Sequence, residues 1–187
     1  MRILVVEDEF LIAQQLTRDI GSLGDTVIGP FADIAEAMCS LTNADADAAI
    51  LDVRLGGRTS FCIADQLKQQ DVPFVFLTGY TAEDVPARFR QQSIHCKPSS
   101  TRSLLLHLHA HRLRFGDADG VRDVLVDMLS YVRLVVSDNA AAERLVERVM
   151  LQAISTVEGN AVVGDLRALM IDLMDREIGQ NLPRHFH

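Results

Sequence analysis

Glu7, Asp8 and Glu9 directly follow an apolar run at residues 2–6, Asp52 ends the run that starts at 48, Thr78 follows 73–77, and Lys97 follows 93–96. If these runs are neighbouring parallel strands their ends converge, and several carboxylates meet one ammonium and one hydroxyl. Carboxylates crowded in this way need more counter-charge than one lysine supplies. A hard divalent cation with oxygen ligands, Mg²⁺, meets that need. An aspartate held beside such a cation is a nucleophile toward phosphorus, because cation and lysine neutralise the phosphoryl oxygens as charge shifts during transfer. Two simpler roles stay open: Glu9 as a first-turn acid of the helix that follows, and Thr78 as a helix cap.

The elements that must position these residues are legible as a repeating pattern. Runs at 2–6, 26–31, 48–51, 73–77 and 93–96 are apolar in character and do not alternate polar with apolar. Helical periodicity fills the gaps at 10–23, 33–42, 60–69, 82–91 and 100–114. Strands without alternation, separated by helices, predict an α/β fold: a doubly wound five-stranded parallel sheet covered on both faces. Right-handed crossovers then bring all strand C-termini to one edge.

The signal changes at the polar break 115–120. Apolar stripes beginning at Val121, Ala142 and Val162 predict a second, smaller, all-helical domain of three helices, with stops at 137–139 and 158–160 and a frayed end from Gly179 to His187. The expected division is 1–115 and 116–187.

Composition excludes several classes. With 48% hydrophobic and 24% charged residues the chain is neither disordered nor fibrous. A net charge of −8 disfavours nucleic acid and anionic membrane. Cys39, Cys62 and Cys96 are widely spaced and form neither a disulfide framework nor a thiolate zinc site, which predicts a reducing cytoplasm. The N-terminus turns acidic too early for a signal peptide, and no apolar run reaches about 18 residues.

Residues 1–115 resemble the receiver domain of two-component response regulators, through ILVVEDE (3–9), AILDVRL (49–55), VFLTGY (75–80) and CKPS (96–99) in order and spacing. The resemblance implies that Asp52 accepts a phosphoryl group from a histidine kinase or phosphotransfer protein. It implies that Glu7 and Asp8 hold Mg²⁺ with the Asp52 carboxylate and the backbone carbonyl of Arg54. Thr78 resembles the switch hydroxyl, Lys97 the lysine that pairs with the phosphoryl group, and Pro98 the following proline, often cis. Such a protein is a phosphoacceptor that takes part in its own phosphoryl transfer rather than an enzyme. Gly56 stands where proline is usual and Ser60 where glycine is frequent, and Gly56 with Gly57 supplies the freedom for that turn. Ile94 stands where many receivers carry a switch aromatic. Tyr80 and Arg54 are expected at the mouth of the pocket, His107, His109 and His111 at polar positions of the last receiver helix, and Cys96 inside the last strand as a buried small hydrophobe.

In the second domain, seven basic residues against twelve acidic ones over 116–187 disfavour a surface that tracks DNA or RNA. The stretch 131–154 resembles the paired helices that open the conserved core of sigma factors, and 165–177 the helix that follows them. Receiver plus sigma-like helices resembles the response regulators of the alphaproteobacterial general stress response, in reversed domain order. That resemblance implies an anti-sigma or sigma-like protein partner. Other outputs stay open: a homodimerising helix bundle, a nucleic-acid-binding regulator of transcription or antitermination, or a phosphotransfer protein with a structural tail.

Overall fold

The computed structural model describes residues 1–79, 85–115, 120–136, 138–159 and 165–181. Two compact units divide the chain, Met1–Leu108 and His109–His187.

The first unit is built on β1 (Arg2–Val6), β2 (Thr26–Phe31), β3 (Ala48–Asp52), β6 (Phe74–Thr78) and β7 (Ser93–Cys96), all parallel, in the order β2-β1-β3-β6-β7. Every residue of β3 and β6 is buried, as expected of central strands covered on both faces. Leu4, Val6, Ala49, Leu51, Phe74 and Phe76 point into one core cluster, while Ile3, Val5 and Ile50 alternate with them and are equally buried. The helices of the first unit are α1 (Phe10–Ser22), α2 (Ile34–Asn43) and α3 (Phe61–Gln69), and α4 (Thr101–Phe115) begins in this unit and ends in the second. α1 and α2 each turn an i, i+3, i+7 stripe inward, Ala13, Leu16 and Ile20 in α1 and Ile34, Ala37 and Leu41 in α2, while the shorter α3 buries Ile63, Ala64 and Leu67. Asp33 caps α2, its carboxylate accepting from Ala35 N at 2.7 Å and more weakly from Glu36 N at 3.4 Å.

Two local expectations change. The helix read at 82–91 is absent from its described part: 80–84 lie outside the described residues, and beyond them stands only a 3-10 turn, Ala87–Phe89. Pro86 precedes it in extended conformation, and a proline has no N–H for a helix running through it. The loop after Asp52 is not a plain turn. Arg54–Leu55 (β4) and Arg58–Thr59 (β5) pair antiparallel around Gly56 and Gly57, whose φ of 54° and 83° fit a two-residue hairpin turn.

The second unit contains α5 (Val121–Val135), α6 (Asn139–Gly159) and α7 (Leu166–Asn181). Val124, Met128 and Val132 of α5 meet Ala142, Leu145 and Val149 of α6 and Met170 and Met174 of α7 in one core. Asp138 caps α6 through Ala140 N at 3.0 Å and Ala141 N at 3.2 Å, and Asp165 caps α7 through Arg167 N at 2.9 Å. α6 runs through Gly159, so the expected stop at 158–160 falls later than its first residue. Val162, Val163 and residues 182–187 lie outside the described residues, and over 179–181, expected frayed, α7 continues as helix. Asp127 is buried in this unit, where it accepts from Arg112 at 2.9 Å and Arg167 at 3.3 Å. No described helix is long and apolar enough to cross a membrane.

Candidate functional site

The strand register carries the site residues to one edge. Val6 lies opposite Leu51, Asp52 opposite Leu77, and Thr78 opposite Cys96, so the residues just beyond each pair are neighbours. Backbone bonds extend the alignment past the strands: Glu7 N donates to Phe31 O at 2.9 Å, and Lys97 N to Thr78 O at 2.7 Å.

Side chains converge there. Lys97 Nζ lies 2.7 Å from Asp52 Oδ2, 2.9 Å from Glu9 Oε1, and 2.9 and 2.8 Å from the two oxygens of Glu7. Glu7 and Asp52 are buried, Asp8 and Glu9 exposed, Lys97 half-buried. Asp52 Oδ1 accepts from Arg54 N at 3.1 Å, which sets the Arg54 peptide beside the carboxylate. Asp8 Oδ2 accepts from Gly56 N at 2.8 Å, so the hairpin tip and the first acidic residues hold each other. A cavity of about 320 Å³ opens over Asp8, Asp52, Arg54 and Lys97.

One ammonium is shared among three carboxylates, and the electrostatics show the shortfall. Burial pushes Glu7 from 4.5 up to about 7, the nearby Asp52 charge adds to the rise, and the hydrogen bond from Lys97 opposes it. Burial works against the Lys97 ammonium too, but hydrogen bonds to Asp52, Glu7 and Glu9 outweigh it and hold its pKa above the ordinary lysine value. Ligand atoms of Glu7, Asp8 and Asp52 all lie within 4.8 Å of one another. Oxygen-only donors at that spacing, short of positive charge, are positioned for a hard divalent cation.

The sheet edge thus gathers Glu7, Asp8, Asp52 and Lys97, with the backbone of Arg54 and Thr78 beside them. Thr78 is fully buried at the end of β6. Tyr80 lies outside the described residues. For Glu9 the sequence leaves two roles open, a carboxylate of the cluster or a first-turn acid. Glu9 stands at the N-cap of α1 without a side-chain cap bond and turns its carboxylate to Lys97. The run of three acids at 7–9 was the available signal for this. Cys96, expected buried, is exposed, because β7 is an edge strand and its last residue is open to solvent. Of the three histidines, His109 is buried rather than at a polar position, and His107 packs edge-on against His95 with ring centroids 4.7 Å apart. Ile94 is half-buried against the core. The Lys97–Pro98 peptide is cis.

A family model described as the response regulator receiver domain matches residues 3–106. The chain belongs to that family. Receiver domains are not enzymes in the turnover sense, and that holds for this chain. The solution structure of SdrG from Sphingomonas melonis Fr1 is similar at 38% identity, with 58% of this chain and 95% of that one covered and a TM-score of 0.53. The BeF3-activated conformation of SdrG from Pseudomonas melonis Fr1 gives 39% identity, 58% and 93% coverage, and a TM-score of 0.50. The receiver domain of the Francisella response regulator 1452 shares the fold at 20% identity, 60% and 97% coverage, and a TM-score of 0.53. No curated protein matches the chain. The family match ends at residue 106, so the helices beyond it take no identity from this likeness.

Proposed function

We propose that this response regulator accepts a phosphoryl group on Asp52 from the phosphohistidine of a kinase or phosphotransfer protein, with 1–115 as receiver and 116–187 as output domain. The contact that supports this best is Lys97 Nζ at 2.7 Å from Asp52 Oδ2, within the group of three carboxylates. An Asp52 oxygen forms the bond to phosphorus, and the phosphorus–nitrogen bond of the donor breaks. The imidazole leaves with that electron pair, neutral, keeping the proton on its other nitrogen. Lys97 moves its contact from Asp52 to a phosphoryl oxygen, and the Thr78 hydroxyl donates to another. Glu7, Asp8 and Asp52, with the Arg54 carbonyl, are the residues to hold Mg²⁺, which when bound neutralises charge on the phosphoryl oxygens.

The output is protein binding by the helical domain, in a cytoplasmic setting. The likeness of 131–154 to sigma-factor helices supports an anti-sigma-like partner, and the acidic excess of 116–187 weighs against nucleic acid. Phosphorylation changes output only if it favours one of two states that bind the partner differently. Beryllofluoride with Mg²⁺ tests the reading: amide resonances around Thr78 and Lys97 shift in the wild type and stay in place in Asp52→Asn. Equal shifts in the two proteins would overturn it.

A further inference from the structure

A groove of about 500 Å³ runs between α5 and α6, floored by Leu125, Leu129, Val146 and Met150. Its apolar line continues beyond the groove, where Ile154 and Val157 are 46% and 43% exposed. Val146, Met150, Ile154 and Val157 are spaced four, four and three residues apart, so they form one stripe of α6 about 16 Å long at 1.5 Å per residue. Val126, 55% exposed, stands on the α5 side.

The rim is charged. Glu147 stands on the α6 wall and makes no ion pair among the described residues, while Glu143, one turn earlier, pairs with Arg133 at 3.2 Å. Arg122 stands on the α5 wall, near the start of that helix. Across 116–187, twelve acidic residues face seven basic ones.

We propose that this groove binds an amphipathic helix of a second protein, at least three turns long, with its apolar stripe on the floor and a basic flank against Glu147. The proposal specifies the partner chemistry of the output role and rests on that reading only in giving output to the helical domain. Both walls are helices whose backbone groups bond within themselves, so no strand edge is offered, and the ridge of a third helix is the complementary shape. The acidic wall and net acidic charge repel phosphate backbones and anionic headgroups. They also disfavour a second copy, which would bring the same acidic excess.

The test uses the full chain and a labelled synthetic peptide of about 15 residues, with Leu at i, i+4, i+7 and i+11 and Lys on one flank. A second peptide carries Glu in place of Lys. Fluorescence anisotropy should show saturable binding of the Lys peptide and binding about tenfold weaker or less of the Glu peptide. Val126→Asp, at an exposed position that leaves the fold intact by circular dichroism, should weaken the Lys peptide about tenfold. Glu147→Lys should reverse the preference between the two peptides. Equal binding of both peptides by the wild type, or indifference to Val126→Asp, would overturn the proposal. So would concentration-dependent dimerisation in sedimentation that Val126→Asp abolishes, since a second copy would then fill the groove. Labelling of Asp52, measured on the same variants, is expected unchanged, which separates failure of the groove from failure of the phosphoacceptor reading.

Discussion

Without a cation, Glu7 should make the receiver less stable as pH rises. Its carboxyl is raised from 4.5 to about 7 in the folded chain, chiefly by burial, and its side chain is almost wholly shielded from solvent. Between those two values the folded state binds more protons than the unfolded state, so stability falls as pH increases. Glu7's contribution is complete below pH 4.5 and is lost as pH rises through about 7. At 1.36 kcal/mol for each tenfold change in proton affinity, the rise corresponds to about 3 kcal/mol. Glu7→Gln mimics the protonated form and removes the cost of ionisation. Urea unfolding in EDTA should therefore give equal stabilities for wild type and Glu7→Gln near pH 4. At pH 8 the variant should be more stable by about 3 kcal/mol. Taking the difference between the two proteins cancels other groups that titrate over the same range. Mg²⁺ added at pH 8 should then stabilise the wild type, by about 2.7 kcal/mol at a hundredfold excess over its Kd, and the variant by much less. A wild type that matches Glu7→Gln at both pH values, or gains nothing more from Mg²⁺, would refute this account of the acidic cluster.

Three further outcomes are expected. Thr78→Ala should retain most of its Asp52 labelling while losing the beryllofluoride-induced shifts along β6 and β7, read by the same resonances. Gly29→Ala should destabilise the receiver by about 1–3 kcal/mol, measured by urea unfolding. Gly29 has φ of 101°, and an added Cβ would lie 2.9 Å from Val5 O and Phe31 N, backbone atoms that cannot step aside. Asp127→Ala should cost about 3 kcal/mol by leaving Arg112 and Arg167 facing each other partly buried; an unchanged thermal midpoint for the helical domain would count against that role.

The sheet was legible because its demands on sequence are severe: a strand covered on both faces must be apolar at every position, and residues 48–51 and 73–77 are. The main site was legible for the same reason, since an acid or lysine directly beyond such a run has one place to go, the edge where the strands end. What escaped was decided by contacts that periodicity does not carry. The two-residue strands around Gly56 and Gly57 are too short to show a pattern. Pro86 outweighs the helical spacing around it. Glu9 looks like a helix-start acid until Lys97 is known to lie within reach. Cys96 reads as buried only if β7 has neighbours on both sides.

The central claim is that Asp52 takes up the phosphoryl group, and labelling by a small phosphodonor tests it most directly. With acetyl phosphate and Mg²⁺ the wild type should gain one acid-labile, hydroxylamine-sensitive phosphoryl group by intact mass, and peptide mapping after borohydride reduction should place it at Asp52. Asp52→Asn should gain none while keeping its fold by circular dichroism. Equal incorporation in Asp52→Asn, or an acid-stable label on another residue, would contradict the account.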